Sequence, residues 1–183
     1  MLTGDDPADW ARLGFAVGDD GVRVGRVLVR CDGQGGGVRG WKLMGEGPRE
    51  VSGVPTQWSA DAPGPAGARD LDHIVLLTGR LDASVADLVK FGGSERRRID
   101  VGRGRMAFVR MGATVVEVVE RPGPPGLWGL VAVVEDLDAL DPELVGEPRD
   151  AVQPGRRIAT VRREAGLGTA LAFMTPRVRA QPG

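Results

Sequence analysis

One pattern recurs through the second half of this 183-residue chain, and it narrows the possible folds more than any other feature. Leu81-Asp82-Ala83 returns as Leu137-Asp138-Ala139, and Leu88-Val89 returns as Leu144-Val145, both fifty-six residues later (81 to 137, 88 to 144). Between them Arg105-Met106-Ala107-Phe108-Val109-Arg110 is answered by Arg157-Ile158-Ala159-Thr160-Val161-Arg162, fifty-two residues on (105 to 157) and identical at four of six positions. A change in loop length accounts for the difference. Gly112-Ala113-Thr114-Val115-Val116-Glu117-Val118-Val119 is then matched by Gly168-Thr169-Ala170-Leu171-Ala172-Phe173-Met174, offset by one residue at the turn. Self-similarity at such a period marks a duplicated supersecondary unit, and the two copies run over 70–121 and 126–177.

Each copy has the same coarse order. Apolar runs at His73 to Leu77 and Leu130 to Val134 are short, rich in β-branched residues and bounded by polar ones, which predicts strands. Leu81, Val85, Leu88 and Val89 then share one helical face, with Asp82 in the first turn where the helix dipole favours an acid. In the second copy Asp141-Pro142 supplies a cap and a first helical position, predicting a helix that starts late and is short. Strands are expected over Glu95 to Val101, Met106 to Arg110 and Thr114 to Val119, joined by turns at Gly102-Arg103-Gly104 and Met111-Gly112. The unit is β-α-β-β-β, and the fold class is α+β.

The rest of the composition agrees with a compact protein built on that unit. Hydrophobic residues make up 42% of the chain, enough for a core, but aromatics are only 4%, so aliphatic side chains must fill it. A net charge of -1 argues against a nucleic-acid partner held by a general basic field. The single cysteine, Cys31, excludes an intrachain disulfide and fits a reducing compartment. There is neither a charged start followed by an apolar stretch nor a run long enough to span a bilayer, so the expected location is cytoplasmic, with no membrane partner.

Upstream of the repeat, Asp5-Asp6-Pro7-Ala8-Asp9 has the acids and early proline of a helix start, and Gly14 ends that helix. Phe15 to Val17, Val22 to Cys31 and Val38 to Met44 read as strands, with turns at Asp19-Asp20-Gly21 and Asp32 to Gly37. Residues 1–45 therefore resemble a partial unit that lacks its opening strand. The stretch 46–69 shifts to Pro, Gly, Ser and Ala, the chemistry of a linker, and 178–183 form a tail.

Strand alternation places His73, Val75 and Leu77 on one face, and Val115, Glu117 and Val119 on one face of the last strand of the same unit. His73 is the only histidine of the chain. A carboxylate within an otherwise apolar strand is costly to bury unless something pairs with it. An imidazole and a carboxylate on adjacent strands suit a divalent ion that takes mixed nitrogen and oxygen ligands, such as Zn, Ni, Co, Mn or Fe, and suit equally a plain hydrogen-bonded pair.

With the β-α-β-β-β repeat, His73 in its first strand, Glu117 in its last and the Pro154-Gly155-Arg156-Arg157-Ile158-Ala159 approach to a late strand in view, the chain resembles the vicinal oxygen chelate superfamily, whose best known members are glyoxalase-like and bleomycin-resistance-like proteins. The resemblance implies paired units whose sheets form a cup, a small-molecule ligand in the cup, and often one divalent metal held by a residue from each first strand and a carboxylate from each last. It places His73 and Glu117 as metal ligands, Glu117 as the catalytic carboxylate of a lyase or isomerase, and the protein in a homodimer. The second copy departs from the pattern: Gly129 stands where His73 would be, and Ala172, or Phe173 without a gap, where Glu117 would be. Three arrangements follow. The two ligands are completed across a dimer, the cup binds or sequesters a small molecule without metal, or the domain is a scaffold.

Other features have plainer readings. Arg110 and Arg162 occupy equivalent repeat positions and could converge on a carboxylate or phosphate, with surface pairing as the default. Arg96-Arg97-Arg98 reads as a solvated edge. Gly33-x-Gly35-x-Gly37, Gly102-x-Gly104 and Gly166-x-Gly168 lie between strands and read as hairpin turns, not nucleotide loops. Cys31 reads as a small buried apolar residue. Trp41, Trp58 and Trp128 line a pocket or pack the core.

Overall fold

The structure is a computed structural model that describes residues 1–60, 66–100, 102 and 104–177; the expected strand end at Val101, the middle of the Gly102-Arg103-Gly104 turn and the tail 178–183 lie outside the described residues. The chain runs β1 (Leu2–Thr3), α1 (Pro7–Arg12), β2 (Val17–Gly18), β3 (Gly21–Val24), β4 (Val27–Cys31), β5 (Val38–Met44), β6 (Glu50–Val51), β7 (Val54–Ser59), β8 (Leu71–Thr78), α2 (Leu81–Lys90), β9 (Ser94–Asp100), β10 (Arg105–Met111), β11 (Thr114–Glu120), β12 (Gly126–Val133), β13 (Arg149–Asp150), β14 (Arg157–Thr160) and β15 (Ala170–Met174), with a 3-10 turn at Arg163–Ala165. No helix among the described residues is long and apolar enough to cross a membrane.

The repeat builds an eight-stranded mixed sheet in the order β13-β14-β15-β12-β8-β11-β10-β9. The opening strands β8 and β12 lie antiparallel at its centre, and each is flanked by the closing strand of its own copy in parallel, β11 beside β8 and β15 beside β12. The register makes the two halves equivalent residue by residue. His73 is opposite Val131 and Val75 opposite Gly129, so the relation that exchanges Val75 with Val131 exchanges His73 with Gly129. Phe108 is opposite Glu117 as Thr160 is opposite Ala172, so Ala172 is the counterpart of Glu117.

Helix α2 forms as its spacing predicts, with Leu81, Val85 and Leu88 buried, but Ser84 joins them and Val89 is 44% exposed. It covers the sheet face made by Leu76, Ala107, Val109, Val116 and Val118, all buried. Alternation therefore leaves His73, Val75, Phe108, Val115, Glu117 and Val119 on the other face, the cup of the sheet. The helix expected after Asp141-Pro142 does not form. Asp141 Oδ1 accepts the Glu143 N–H and its carbonyl accepts from Leu144 and Val145, but the turn ends there because Val145 is taken into a bridge with Val161.

The N-terminal part differs from expectation in four ways. The opening strand is present as β1, which lies parallel to β4 and antiparallel to β5. The stretch expected as linker carries β6 and β7, with Val51, Val54 and Thr56 buried and β7 parallel to β5. The resulting seven-stranded order, β2-β3-β4-β1-β5-β7-β6, repeats the pairing of the larger sheet with one strand fewer. The expected long strand Val22 to Cys31 is a hairpin, β3 and β4, folded at Gly25 with φ 54. The Gly33 to Gly37 loop is not a hairpin turn: β4 and β5 flank β1, so the loop crosses the end of β1. Trp10, Phe15, Val29 and Trp41 from the smaller sheet and its helix join one core with Leu76, Leu88, Leu130 and Phe173 from the larger.

Candidate functional site

The site is assembled around a defect in β8. Val131 of β12 is opposite His73 while Ala132 is opposite Leu71, so Asp72 is one residue too many and forms a bulge. A bulge re-aims the side chains beside it, and here it lets neighbours that alternation would send to opposite faces meet, with Asp72 Oδ2 2.9 Å from His73 Nδ1. On the other side of the ring, His73 Nε2 is 2.8 Å from Glu117 Oε2. The chain of contacts continues outward, since Arg156 donates from Nη1 to Asp72 Oδ1 at 2.7 Å. Arg156 lies just before β14, after Gly155 in a left-handed conformation with φ 73, and its Nε donates to Thr175 O at 2.7 Å. Its Nη2 is buried with no hydrogen-bond partner among the described residues.

Arg156, Asp72, His73 and Glu117 thus form a line of two cations alternating with two carboxylates. Buried charges persist only when each is paired and hydrogen-bonded, and in this line each charge faces an opposite one, with only Arg156 Nη2 left over. The Asp72 side chain is 8% exposed, that of His73 5%, that of Arg156 3% and that of Glu117 15%, so Glu117 is the member a molecule on the cup face can reach. Burial alone would lower the basicity of the imidazole, but the hydrogen bonds and charges of Asp72 and Glu117 outweigh it and hold the His73 pKa up at about 9. Burial likewise opposes ionisation of Asp72, and the bonds from His73 and Arg156 overcome it, taking its pKa down to about 2. At neutral pH His73 is an imidazolium donating from both nitrogens.

The structure brings His73 and Glu117 together and separates the other expected partners. Arg110 is the penultimate residue of β10, exposed, with its Nε on Gly112 O at 3.0 Å, whereas Arg162 follows β14 with its Nε on Val145 O at 3.3 Å. Four strands of the sheet lie between β10 and β14, so the two guanidiniums do not converge. Arg98 of the exposed edge strand β9 bonds Glu95 and Asp82. Trp41 is buried with its Nε1 on Thr56 Oγ1, Trp58 donates to Pro48 O and tilts against Phe91, and Trp128 is 52% exposed. Cys31 is half-buried, and burial first, then Asp5, Asp6 and Asp32, push its thiol up to about 11, away from a nucleophilic thiolate.

A resident divalent metal does not fit this donor set. The two candidate ligands point at each other, their counterparts Gly129 and Ala172 carry no donor atom, and no group of three His, Cys, Asp or Glu among the described residues is arranged to hold an ion. A β-carbon at position 129 would lie 1.8 Å from Ala170 O, so the second half of the pattern is closed off by the backbone itself.

No protein family and no curated protein matches the chain in sequence. Among solved structures, a hypothetical protein of Bacillus halodurans is similar at 15% identity with a TM-score of 0.52, covering 63% of this chain and 99% of its own. Methylmalonyl-CoA epimerase from Mycobacterium tuberculosis is similar at 19% identity with a TM-score of 0.50, covering 60% of this chain and 89% of its own. At such identities likeness speaks for fold. The chain has the α+β, cup-shaped sheet architecture of the vicinal oxygen chelate fold.

Proposed function

We propose that the cup face of the larger sheet binds a small molecule against the Glu117–His73 ion pair, without a metal. The observation that carries this reading is the occupancy of His73: both of its nitrogens are engaged by carboxylates, and Asp72 is itself fixed by Arg156. The ring is therefore a preorganised cation that locks the Glu117 carboxylate through Oε2 and leaves Oε1 to accept from a ligand hydroxyl or amide. Val75, Val115, Val119 and Phe108 surround that acceptor with apolar surface, the usual composition of a small-molecule site with a few fixed polar groups. Epimerase chemistry, as in the structurally similar protein, is a proton transfer, and Glu117 is the one member of the line placed to exchange a proton with a ligand on this face.

The test is a thermal-shift screen of small hydroxy and keto acids, run on protein dialysed against a chelator, beside elemental analysis. The expected result is an unchanged melting temperature after chelation and a saturable rise with ligand, as mass action requires, which Glu117→Ala removes and His73→Ala weakens. One tightly held metal per two chains, with a melting temperature that falls on chelation, would overturn the reading and make His73 and Glu117 one half of a site shared by two copies.

A further inference from the structure

We propose that the groove between the two sheets is a second small-molecule site, and that it takes an amphipathic anion, an apolar body ending in a carboxylate or phosphate. The groove has a volume of about 720 Å³ and is walled by Leu28, Trp41 and Leu43 from the smaller sheet, by Ile74 and Val116 from the larger, and by Phe91 at the end of α2. Its size falls within the ~300–1,000 Å³ of small-molecule sites. Ile74 and Val116 alternate with His73 and Glu117 along β8 and β11, so the groove lies on the reverse of the sheet from the ion pair.

Charge selects the ligand. Basic and acidic residues are almost balanced over the whole chain, 24 against 25, yet the groove gathers the guanidiniums of Arg23, Arg26 and Arg30, with Asp20 the one acid among its described lining residues. Asp20 is 2.6 Å from Arg23 and so neutralises that guanidinium, while Arg26 and Arg30 make no ion pair among the described residues. Register fixes the geometry: Arg23 is opposite Leu28, and Arg30 is level with Leu2, so these guanidiniums share one face of the smaller sheet with Leu2 and Leu28. Guanidiniums at the mouth of an apolar groove suit a terminal anion, which they hold through forked, charge-assisted bonds, while the hydrocarbon body lies against Leu28, Ile74 and Phe91.

Calorimetric titration of the full chain with decanoate, decyl phosphate and decanol tests this. One saturable site per chain is expected for both anions or for one of them, which tells carboxylate from phosphate preference, with decanol at least about tenfold weaker. Arg26→Ala combined with Arg30→Ala should weaken anion binding by at least about tenfold, and Ala113→Trp, on an exposed turn at the wall of the groove, should abolish it. Glu117→Gln should leave it unchanged, which separates this site from the cup. The proposal is overturned if neither anion saturates, if binding survives both Ala113→Trp and the double arginine variant, or if Glu117→Gln removes it. Ala113→Trp keeps the test decisive should the arginine variant fail to fold.

Discussion

His73 illustrates how a single residue can hold a buried line of charge together. Its folded-state pKa of about 9 lies above the ordinary 6.5, so its contribution to stability is complete below pH 6.5 and is lost as pH rises through 9. Asp72 behaves in the opposite sense. Its pKa of about 2 lies below 3.8, so its contribution is present above pH 3.8 and is lost as pH falls toward 2. Stability from the line is therefore greatest between pH 3.8 and 6.5. Between pH 6.5 and 9 we expect denaturant-derived stability to fall by on the order of 3 kcal/mol, since each tenfold change in proton affinity is worth ~1.4 kcal/mol. His73→Gln, which cannot titrate, should be less stable at pH 6 but should lack this alkaline loss. Parallel curves for the two proteins would show that His73 is not the titrating group. Alternation along the strand is enough to pair His73 with Glu117, because that rule depends only on the pleat. It sends Asp72 to the wrong face, because a bulge is set by how β8 meets β12, and it says nothing of Arg156, which reaches the site from a loop.

At the scale of elements, strand pairing explains why the two copies diverged in chemistry while keeping one architecture. β12 and β15 approach so closely at Gly129 that a β-carbon would meet the backbone oxygen and carbon of Ala170 at 1.8 and 2.6 Å. Backbone cannot yield as a side-chain tip can, so Gly129→Ala should cost more than about 2 kcal/mol by overpacking, measured by chemical denaturation. Gly129→His should be at least as damaging and should not create metal binding; a stable variant that binds zinc would refute the argument. The repeat identifies Gly129 as the counterpart of His73, but the reason for the glycine lies in the distance between strands. The same holds for β6 and β7. Val54, Thr56 and Trp58 carry the alternation of a strand, yet Pro48, Gly53, Pro55 and the proline-rich stretch beyond them suggest a linker, and what makes them strands is the parallel pairing of β7 with β5, Trp41 opposite Thr56, and of β6 with β7. In the second copy the expected helix gives way to a single turn, since a bridge at Val145 competes for the same backbone.

The whole molecule is two sheets of like topology packed on one core, and the fastening is partly polar. Phe15 stacks on Phe173 at 5.8 Å with Arg69 over both rings, giving the apolar seam. Beside it Asp5, 3% exposed, accepts from the N–H groups of Gly168 and Thr169 at 2.8 and 3.1 Å, and Thr3 Oγ1 meets Thr169 Oγ1 at 2.7 Å. These bonds join the connection after β1 to the connection before β15, so the opening strand of the smaller sheet is tied to the closing strand of the larger. The sequence shows an acidic helix start at Asp5; that this carboxylate serves a loop 163 residues away, while Asp6 caps the helix by accepting from Ala8, emerges only once the sheets are packed. Asp5→Ala strips the buried Thr169 N–H and the more exposed Gly168 N–H of their acceptor and should cost roughly 2 kcal/mol, whereas Asp5→Asn keeps a carbonyl acceptor and should recover most of it. Because one core runs through both sheets, wild type should unfold in urea as a single transition with coincident far-ultraviolet dichroism and tryptophan fluorescence. The same coincidence is expected for Asp5→Ala at a lower midpoint; two separated transitions in the variant would mean that the sheets fold independently and that the Asp5 contacts alone hold them in register.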